Sequence, residues 1–115
     1  MAKIVIAGSR SITSYAVVVH AIENSYMQIS TVVSGCARGV DLLGERWARE
    51  HGVPVLRFPA EWKIHGRSAG MLRNWRMAKE ADGLIAVWDG VSSGTHNMIV
   101  TMRGLQKPVY VWVEK

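Results

Sequence analysis

Residues 3–10 read KIVIAGSR, a continuous apolar run that leads into glycine, serine and arginine. Continuous apolar runs are typical of strands that are covered on both faces, as in a parallel sheet. A glycine at the end of such a strand allows a sharp turn and a close approach of the backbone to a ligand. We therefore predict a buried parallel strand over Lys3–Gly8, followed by a loop that faces a ligand.

The rest of the chain repeats the order of strand and then helix. Four further strands are predicted, over Thr31–Ser34, Pro54–Phe58, Gly83–Trp88 and Pro108–Val113. Four helices are predicted between them, over Ser14–Ser25, Gly39–His51, Ala69–Ala81 and Thr95–Leu105. Single helices between short strands imply right-handed crossovers and a parallel sheet. The sequence thus predicts one α/β, Rossmann-like domain over residues 1–115, with three layers and a five-stranded parallel sheet in the order 3-2-1-4-5.

The composition restricts the class of protein. Of the 115 residues, 49% are hydrophobic and 20% are charged, as in ordinary globular domains. The apolar runs are too short to span a membrane, and the first residues lead into a strand without the pattern of a signal peptide. Cys36 is the only cysteine, which excludes an intramolecular disulfide and fits a reducing compartment. We expect a cytoplasmic protein.

The net charge of +5 has two interpretations. One is a moderately basic surface without functional meaning. The other is attraction to phosphate, in a small ligand or in nucleic acid. The basic residues are spread along the chain, which argues against a disordered basic arm.

Three loops lie where a ligand is expected. In the predicted strand order the winding reverses between strands one and four, and ligands bind there, beyond the carboxyl ends of the strands. The loops after strands one, two and four read GSRS (residues 8–11), SGCARGVD (residues 34–41) and DGVSSGTHN (residues 89–97). N–H groups at helix starts attract phosphate, hydroxyls add donors, and arginine adds a cationic fork. The alternative is ordinary turn and helix-cap chemistry. We predict ligand contacts by Gly8, Ser9, Arg10, Ser34, Gly35, Arg38, Gly39, Trp88, Asp89, Ser93, Gly94, Thr95 and His96.

The segment before the third long helix mixes aromatic and basic side chains. One interpretation is that Trp62 or His65 stacks on a base and that Arg67 or Arg73 holds a phosphate. The other is a surface loop in which Ser68 caps the helix and Arg73 forms a salt bridge. The sequence leaves both interpretations open.

Several of these motifs resemble the SLOG superfamily. Residues 6–10 (IAGSR) and 33–41 (VSGCARGVD) look like its DNA-processing protein A branch. Residues 71–74 (MLRN), 81–82 (AD) and 94–95 (GT) resemble its "Lonely guy" branch. Over nearly its full length the chain most resembles the small, often phage-encoded, YspA-like members. Arg73 and Asn74 therefore join the predicted ligand-binding residues.

The resemblance implies a Rossmann-like fold that binds nucleotides or nucleotide-derived molecules. Some members are phosphoribohydrolases, some are sensor domains for signalling nucleotides in bacterial antiphage defence, and some bind single-stranded DNA. In the hydrolase branch one loop reads Pro-Gly-Gly-x-Gly-Thr-x-x-Glu, and its glutamate takes part in catalysis. Here Met98 stands at the position of that glutamate. Because glycosidic cleavage needs a carboxylate, we predict binding without hydrolysis. Asp41, Asp89 or Glu61 could replace the glutamate, but no spacing demands it.

The leading prediction is a protein that binds a nucleotide-derived ligand, either an ADP-ribose derivative or a cyclic oligonucleotide. A phage protein of this kind could sequester a signalling nucleotide in the host cytoplasm. The alternatives are an N-glycosidase or phosphoribohydrolase acting on a nucleotide, and single-stranded DNA binding, for which no aromatic and basic strand face is evident. We expect no cofactor and no metal, since His and Cys lack ligand spacing. Trp47 and Trp75 lie on apolar helix stripes that belong either to the core or to a subunit interface. Because small domains often dimerise through such helices, we expect a homo-oligomer.

Overall fold

The strands form where apolar and β-branched residues are concentrated. In the computed structural model, which describes residues 2–115, they span Lys3–Gly8 (β1), Thr31–Ser34 (β2), Val55–Arg57 (β3), Gly83–Trp88 (β4) and Val109–Val113 (β5). All neighbouring strands are parallel, and their order is β3-β2-β1-β4-β5. The predicted α/β class and strand order are therefore confirmed.

Helices cover both faces of the sheet. They span Tyr15–Ser25 (α1), Val40–Glu50 (α2), Trp62–His65 (α3), Ala69–Glu80 (α4) and Ser93–Gly104 (α5). A 3-10 turn, Gly66–Ser68, joins α3 to α4. The sequence predicts the four long helices but places a loop where α3 and the 3-10 turn lie. A single helical turn is too short to show a periodic pattern, and α3 begins because the Glu61 carbonyl accepts the N–H groups of Ile64 and His65, both at 3.0 Å.

The element boundaries differ from the predicted ones for local reasons. Pro54 and Pro108 lie just outside β3 and β5, since proline has no N–H to donate to a ladder. Their carbonyls still accept the N–H groups of Val32 at 2.9 Å and Leu84 at 3.0 Å. Ser14 precedes α1 as its N-cap rather than lying within the helix. The helix α5 starts two residues earlier than predicted, at Ser93.

The sheet separates two hydrophobic cores, which gives the three predicted layers. Ile4 and Ile6 of β1 lie in the core under α1 and α2. Val5 and Ala7 lie in the core under α4 and α5. Residues alternate between the two cores because successive side chains of a strand point to opposite faces. Both faces of β1 are thus buried, as its continuous apolar run predicts.

Two glycines let the strand-end loops come close together. A Cβ atom at Gly8 would lie 1.9 Å from the carbonyl oxygen of Val87. Gly39 precedes α2 with a φ of +81°, and a Cβ there would lie 2.6 Å from the carbonyl oxygen of Ser9. Only glycine combines that backbone conformation with that contact. The segments after β1 and β2 therefore pack directly against each other at the carboxyl edge of the sheet.

Within residues 2–115 no helix is both long enough and apolar enough to cross a membrane.

Candidate ligand-binding cleft

A cleft of about 870 Å³ lies at the carboxyl ends of β1 and β4. Its walls come from the β1 loop (residues 9–14), the β2 loop (residues 35–39), the β4 loop (residues 89–92), the 3-10 turn, and the helices α2, α3, α4 and α5. The winding of the sheet reverses between β1 and β4, so the cleft occupies the crevice where ligands of open α/β sheets bind. Its volume lies within the range that is usual for small-molecule sites.

The cleft brings together ten of the fifteen residues that the sequence predicts as ligand contacts. They come from three strand-end loops and from α4 and α5, which are far apart in the sequence. The ten residues that line it are Gly8, Ser9, Arg10, Arg38, Arg73, Asn74, Asp89, Ser93, Gly94 and Thr95.

Two predicted contacts in the β2 segment lie behind the cleft wall instead. Ser34 is fully buried, and its hydroxyl donates to Glu45 Oε2 at 2.6 Å and accepts the N–H of Cys36 at 3.1 Å. Gly35 lies beneath Arg73, and its carbonyl accepts a hydrogen bond from that guanidinium. Neither residue lines the cleft. Their hydrogen bonds position the loop and the arginine instead.

Three further predicted contacts also lie outside the lining. Gly39 packs against Ser9. The ring N–H of Trp88 donates to the carbonyl of Ser92 at 3.0 Å, and its ring centroid lies 5.8 Å from that of His96. Trp88 and His96 thus stabilise the β4 loop, because their rings contact each other and the Trp88 ring also hydrogen-bonds to the backbone of that loop.

The lining also contains residues that the predicted site omits. Trp62 and Arg67 line it, whereas His65 of the same segment does not. Gly70, Met71 and Met77 of α4 also line it. They lie three or four residues from Asn74, which the sequence does predict, and this helical spacing could have identified them.

Positive charge dominates the cleft. Four arginines line it, Arg10, Arg38, Arg67 and Arg73, against two aspartates. The guanidinium group has a planar fork of N–H donors that matches phosphate oxygens. The cleft is therefore suited to an anion.

Asp41 and Arg73 face each other across Gly35. A Cβ atom at Gly35 would lie 2.7 Å from Arg73 Nη1 and 2.7 Å from Asp41 Oδ2. Burial raises the pKa of Asp41 to about 6, although Arg73 and the N–H groups of Ala37 and Gly8 oppose the rise. Burial also lowers the pKa of Arg73. A carboxyl group with this pKa exchanges its proton near neutral pH, and it lines the cleft.

Asn74 connects the two helices that flank the cleft. Its Nδ2 donates to the Gly94 carbonyl at 3.2 Å and to Asn97 Oδ1 at 2.9 Å. Its Oδ1 accepts from Arg73 Nε at 3.0 Å. The buried amide thus fixes the orientation of the arginine relative to the start of α5.

Asp89 organises the start of α5. Its carboxylate accepts the N–H groups of Val91 at 2.9 Å and Ser92 at 2.8 Å, and the Ser92 hydroxyl at 2.8 Å. The backbone hydrogen bonds from Ser92 and Val91 lower the pKa of Asp89 to about 2. The backbone N–H groups that follow, those of residues 93–95, have no acceptor within residues 2–115. Such groups at a helix start are binding points for phosphate.

Within residues 2–115, the cleft is lined neither by an activated cysteine nor by a cluster of metal-binding side chains. Burial raises the pKa of the Cys36 thiol, and Cys36 does not line the cleft. Activated cysteines have a lowered pKa instead. No group of three or more His, Cys, Asp or Glu within residues 2–115 is placed to hold a metal ion. Met98 is buried where the cleft meets α5.

The fold and the cleft define a Rossmann-like α/β protein with an arginine-lined crevice at the reversal of its sheet. Comparison with known proteins gives the family. The model of the family described as "YspA, cpYpsA-related SLOG family" matches residues 2–65. The chain therefore belongs to the YspA-related SLOG family, as its motifs predict.

A curated relative is the Gene 61 protein of Mycobacterium phage D29, which is 42% identical to this chain over 82 residues. The match covers 66% of this chain and 63% of the relative, so the chain spans less than two thirds of that protein. No solved structure matches the chain.

Proposed function

We propose that the protein binds a nucleotide-derived small molecule through its phosphate groups, in the cleft at the carboxyl ends of β1 and β4. The observation that carries this proposal is the meeting of four arginines with the N–H groups at the start of α5. Membership of the SLOG family supports a nucleotide-related ligand. ADP-ribose derivatives and cyclic oligonucleotides are the two classes that we propose.

We further propose that the protein holds its ligand without cleaving it. The position that carries glutamate in the hydrolase branch is the buried Met98, which cannot activate water. Because a relative comes from a phage, we also propose that the protein sequesters a signalling nucleotide in the host cytoplasm.

Isothermal titration with ADP-ribose, cyclic ADP-ribose and cyclic dinucleotides tests the binding proposal. At least one of these compounds should bind to the wild-type protein, and Arg73→Ala should weaken that binding by at least about tenfold, because a partly buried, charged hydrogen-bond donor that lines the cleft is lost. Arg103→Ala, at an exposed arginine outside the cleft, is the matched control and should bind normally. Equal weakening by both substitutions would point to general charge attraction, and binding of single-stranded DNA alone would contradict the proposal.

A second candidate function is cleavage of a nucleotide at its glycosidic bond. The observation that favours it is Asp41, a cleft-lining carboxyl group whose pKa is raised to about 6. Such a group can accept a proton from an attacking water. Chromatography of nucleoside monophosphates and ADP-ribose after incubation distinguishes the two candidates. Release of free base by the wild-type protein, but not by Asp41→Asn, would establish the enzyme.

A further inference from the structure

We infer that Trp62 and Met71 form a base-binding wall of the cleft, so that the ligand is a nucleotide with an intact aromatic base and not a sugar phosphate alone. This inference rests on the proposed function. It adds a second chemical contact to the phosphate site and assigns it to two residues.

The cleft has two chemically different kinds of lining. The β1 and β2 loops contribute Arg10 and Arg38, and the start of α5 contributes hydroxyls and N–H groups. The wall made by α3 and the first turn of α4 contributes Trp62, Gly70 and Met71. A site that combines cationic and aromatic linings matches a molecule that carries both phosphate and a base.

Trp62 and Met71 are exposed although both are large and apolar. The exposed fractions are 51% for Trp62 and 62% for Met71, and neither belongs to the two hydrophobic cores. Exposed single apolar residues are common, but two that line the same cleft form a surface that a base can cover. Indole rings stack on bases, and thioethers make favourable contacts with aromatic edges.

The Trp62 ring contacts the start of α4. Its Cη2 atom lies 3.4 Å from the point where a Cβ of Gly70 would stand, so the ring rests against the start of α4 where a side chain is lacking. The neighbouring Glu61 forms an ion pair with Arg76 of α4 at 2.8 Å. One edge of the indole therefore contacts the wall of the cleft, and the rest of the ring is exposed and can be covered by a ligand. Arg67 lines the same wall and supplies donors for the polar edge of a base or for a phosphate.

The test compares ligands with and without a base on matched variants. Affinities for ADP-ribose and for ribose 5-phosphate are measured by titration on the wild-type protein, Trp62→Ala, Trp62→Phe and Ile64→Ala. Ile64 lies on the same short helix, is 70% exposed and does not line the cleft, so its variant removes an apolar side chain without touching the site. Circular dichroism checks that every variant is folded.

The wild-type protein and Ile64→Ala should bind ADP-ribose more tightly than ribose 5-phosphate. Trp62→Ala should weaken ADP-ribose binding by roughly 10-fold to 100-fold, the range for loss of one base stack, and should leave ribose 5-phosphate binding unchanged. Trp62→Phe should retain most of the preference, because a smaller ring still stacks.

The outcomes separate the inference from the proposed function. If the wild-type protein binds both compounds equally, or if Trp62→Ala keeps the full preference for ADP-ribose, the inference is overturned and phosphate binding stands. If Trp62→Ala weakens both compounds equally, Trp62 supports the site as a whole and does not read the base. If the wild-type protein binds neither compound nor any cyclic dinucleotide, the proposed function is wrong and the inference falls with it.

Discussion

Burial raises the pKa of the Asp41 carboxyl group towards neutral pH. Its pKa of about 6 lies above the usual 3.8, so the folded state prefers the protonated form. The contribution of this group to the free energy of unfolding is therefore largest below pH 4 and falls as the pH rises towards 6. The total effect is on the order of 1–3 kcal/mol.

Asp41→Asn should remove this part of the pH dependence, because the amide does not ionise. Urea unfolding at pH 5 and pH 7.5 measures it: the loss of stability between these values should be smaller in the variant than in the wild-type protein. An unchanged difference would show that the carboxyl group ionises normally in the folded protein.

The same ionisation should affect ligand binding. Above pH 6 the Asp41 carboxylate adds negative charge beside Arg73 in the cleft, with the carboxylate of Glu45 also nearby. ADP-ribose keeps the same charge between pH 5 and 8, so its affinity should fall several-fold over this range through the protein alone. Titrations on Asp41→Asn should show a flat profile, and a sloping profile in that variant would assign the effect to another group.

At the scale of single residues, the sequence predicts the element in which a residue lies better than it predicts the contacts of its side chain. The motif of the β2 segment places Asp41 in the first turn of α2, where it is found. Its burial depends on Gly8 and Ala37, whose N–H groups approach it from two different loops. Likewise, the Ser34 hydroxyl, which the sequence predicts to face a ligand, instead donates a hydrogen bond to Glu45 of α2. Contacts of this kind between distant segments leave no local pattern.

Among the secondary-structure elements, β1 and β4 approach each other closely at Gly8. The variant Gly8→Ala would place a Cβ 1.9 Å from the Val87 carbonyl oxygen and 2.8 Å from Val40. We expect a loss of roughly 2–3 kcal/mol in the free energy of unfolding, since backbone atoms cannot move aside cheaply.

The matched control for this prediction is Gly104→Ala, where no atom lies within 4 Å of the new Cβ. This substitution lies in α5 and should be neutral or stabilising by up to about 1 kcal/mol. Chemical denaturation measures both variants. Equal stability of the two would refute the close approach at Gly8.

The start of α5 depends on Asp89. Because this carboxylate has a pKa of about 2, below its usual 3.8, the stability it contributes is present above pH 4 and is lost as the pH falls towards 2. Asp89→Asn should therefore lower the melting temperature at pH 7 and have little effect near pH 2. Thermal unfolding followed by circular dichroism at both pH values tests this, and an equal effect at both would assign the loss to packing.

The long helices and the strands were predictable for different reasons. The four long helices carry enough residues to show a period, whereas the strands stand out as short runs of apolar and β-branched residues, down to three residues in β3. Each lies within about two residues of its predicted bounds. The short helix α3 escaped because one turn shows no period, and with it the wall that carries Trp62.

On the scale of the whole molecule, the parallel sheet explains why distant loops share one cleft. All five strands end at the same edge, so the loops after β1, β2 and β4 meet there. The alternation of strands and helices suffices to predict this arrangement. The depth of the cleft could not be predicted, since it depends on how far α3 and α4 stand from the loops.

The predicted homo-oligomer is testable on the outer side of α4. Leu72 and Trp75 are apolar and exposed there, at 36% and 46%, and neither lines the cleft. If two copies associate through this surface, light scattering should give twice the monomer mass for the wild-type protein and one monomer mass for Trp75→Glu. A dimer that persists in the variant would place the interface elsewhere.

The hydrogen bonds of Ser9 join the β1 and β4 loops. Its N–H donates to the Val87 carbonyl at 3.1 Å, and its hydroxyl accepts the N–H of Asp89 at 2.9 Å. Because these bonds are made within the protein, the ordering of this edge does not depend on a ligand. Preorganisation of this kind reduces the conformational entropy that association must remove, and it slows dissociation for a given set of contacts. If the protein sequesters a signalling nucleotide, as we propose, slow dissociation lengthens the time for which each ligand molecule is withheld.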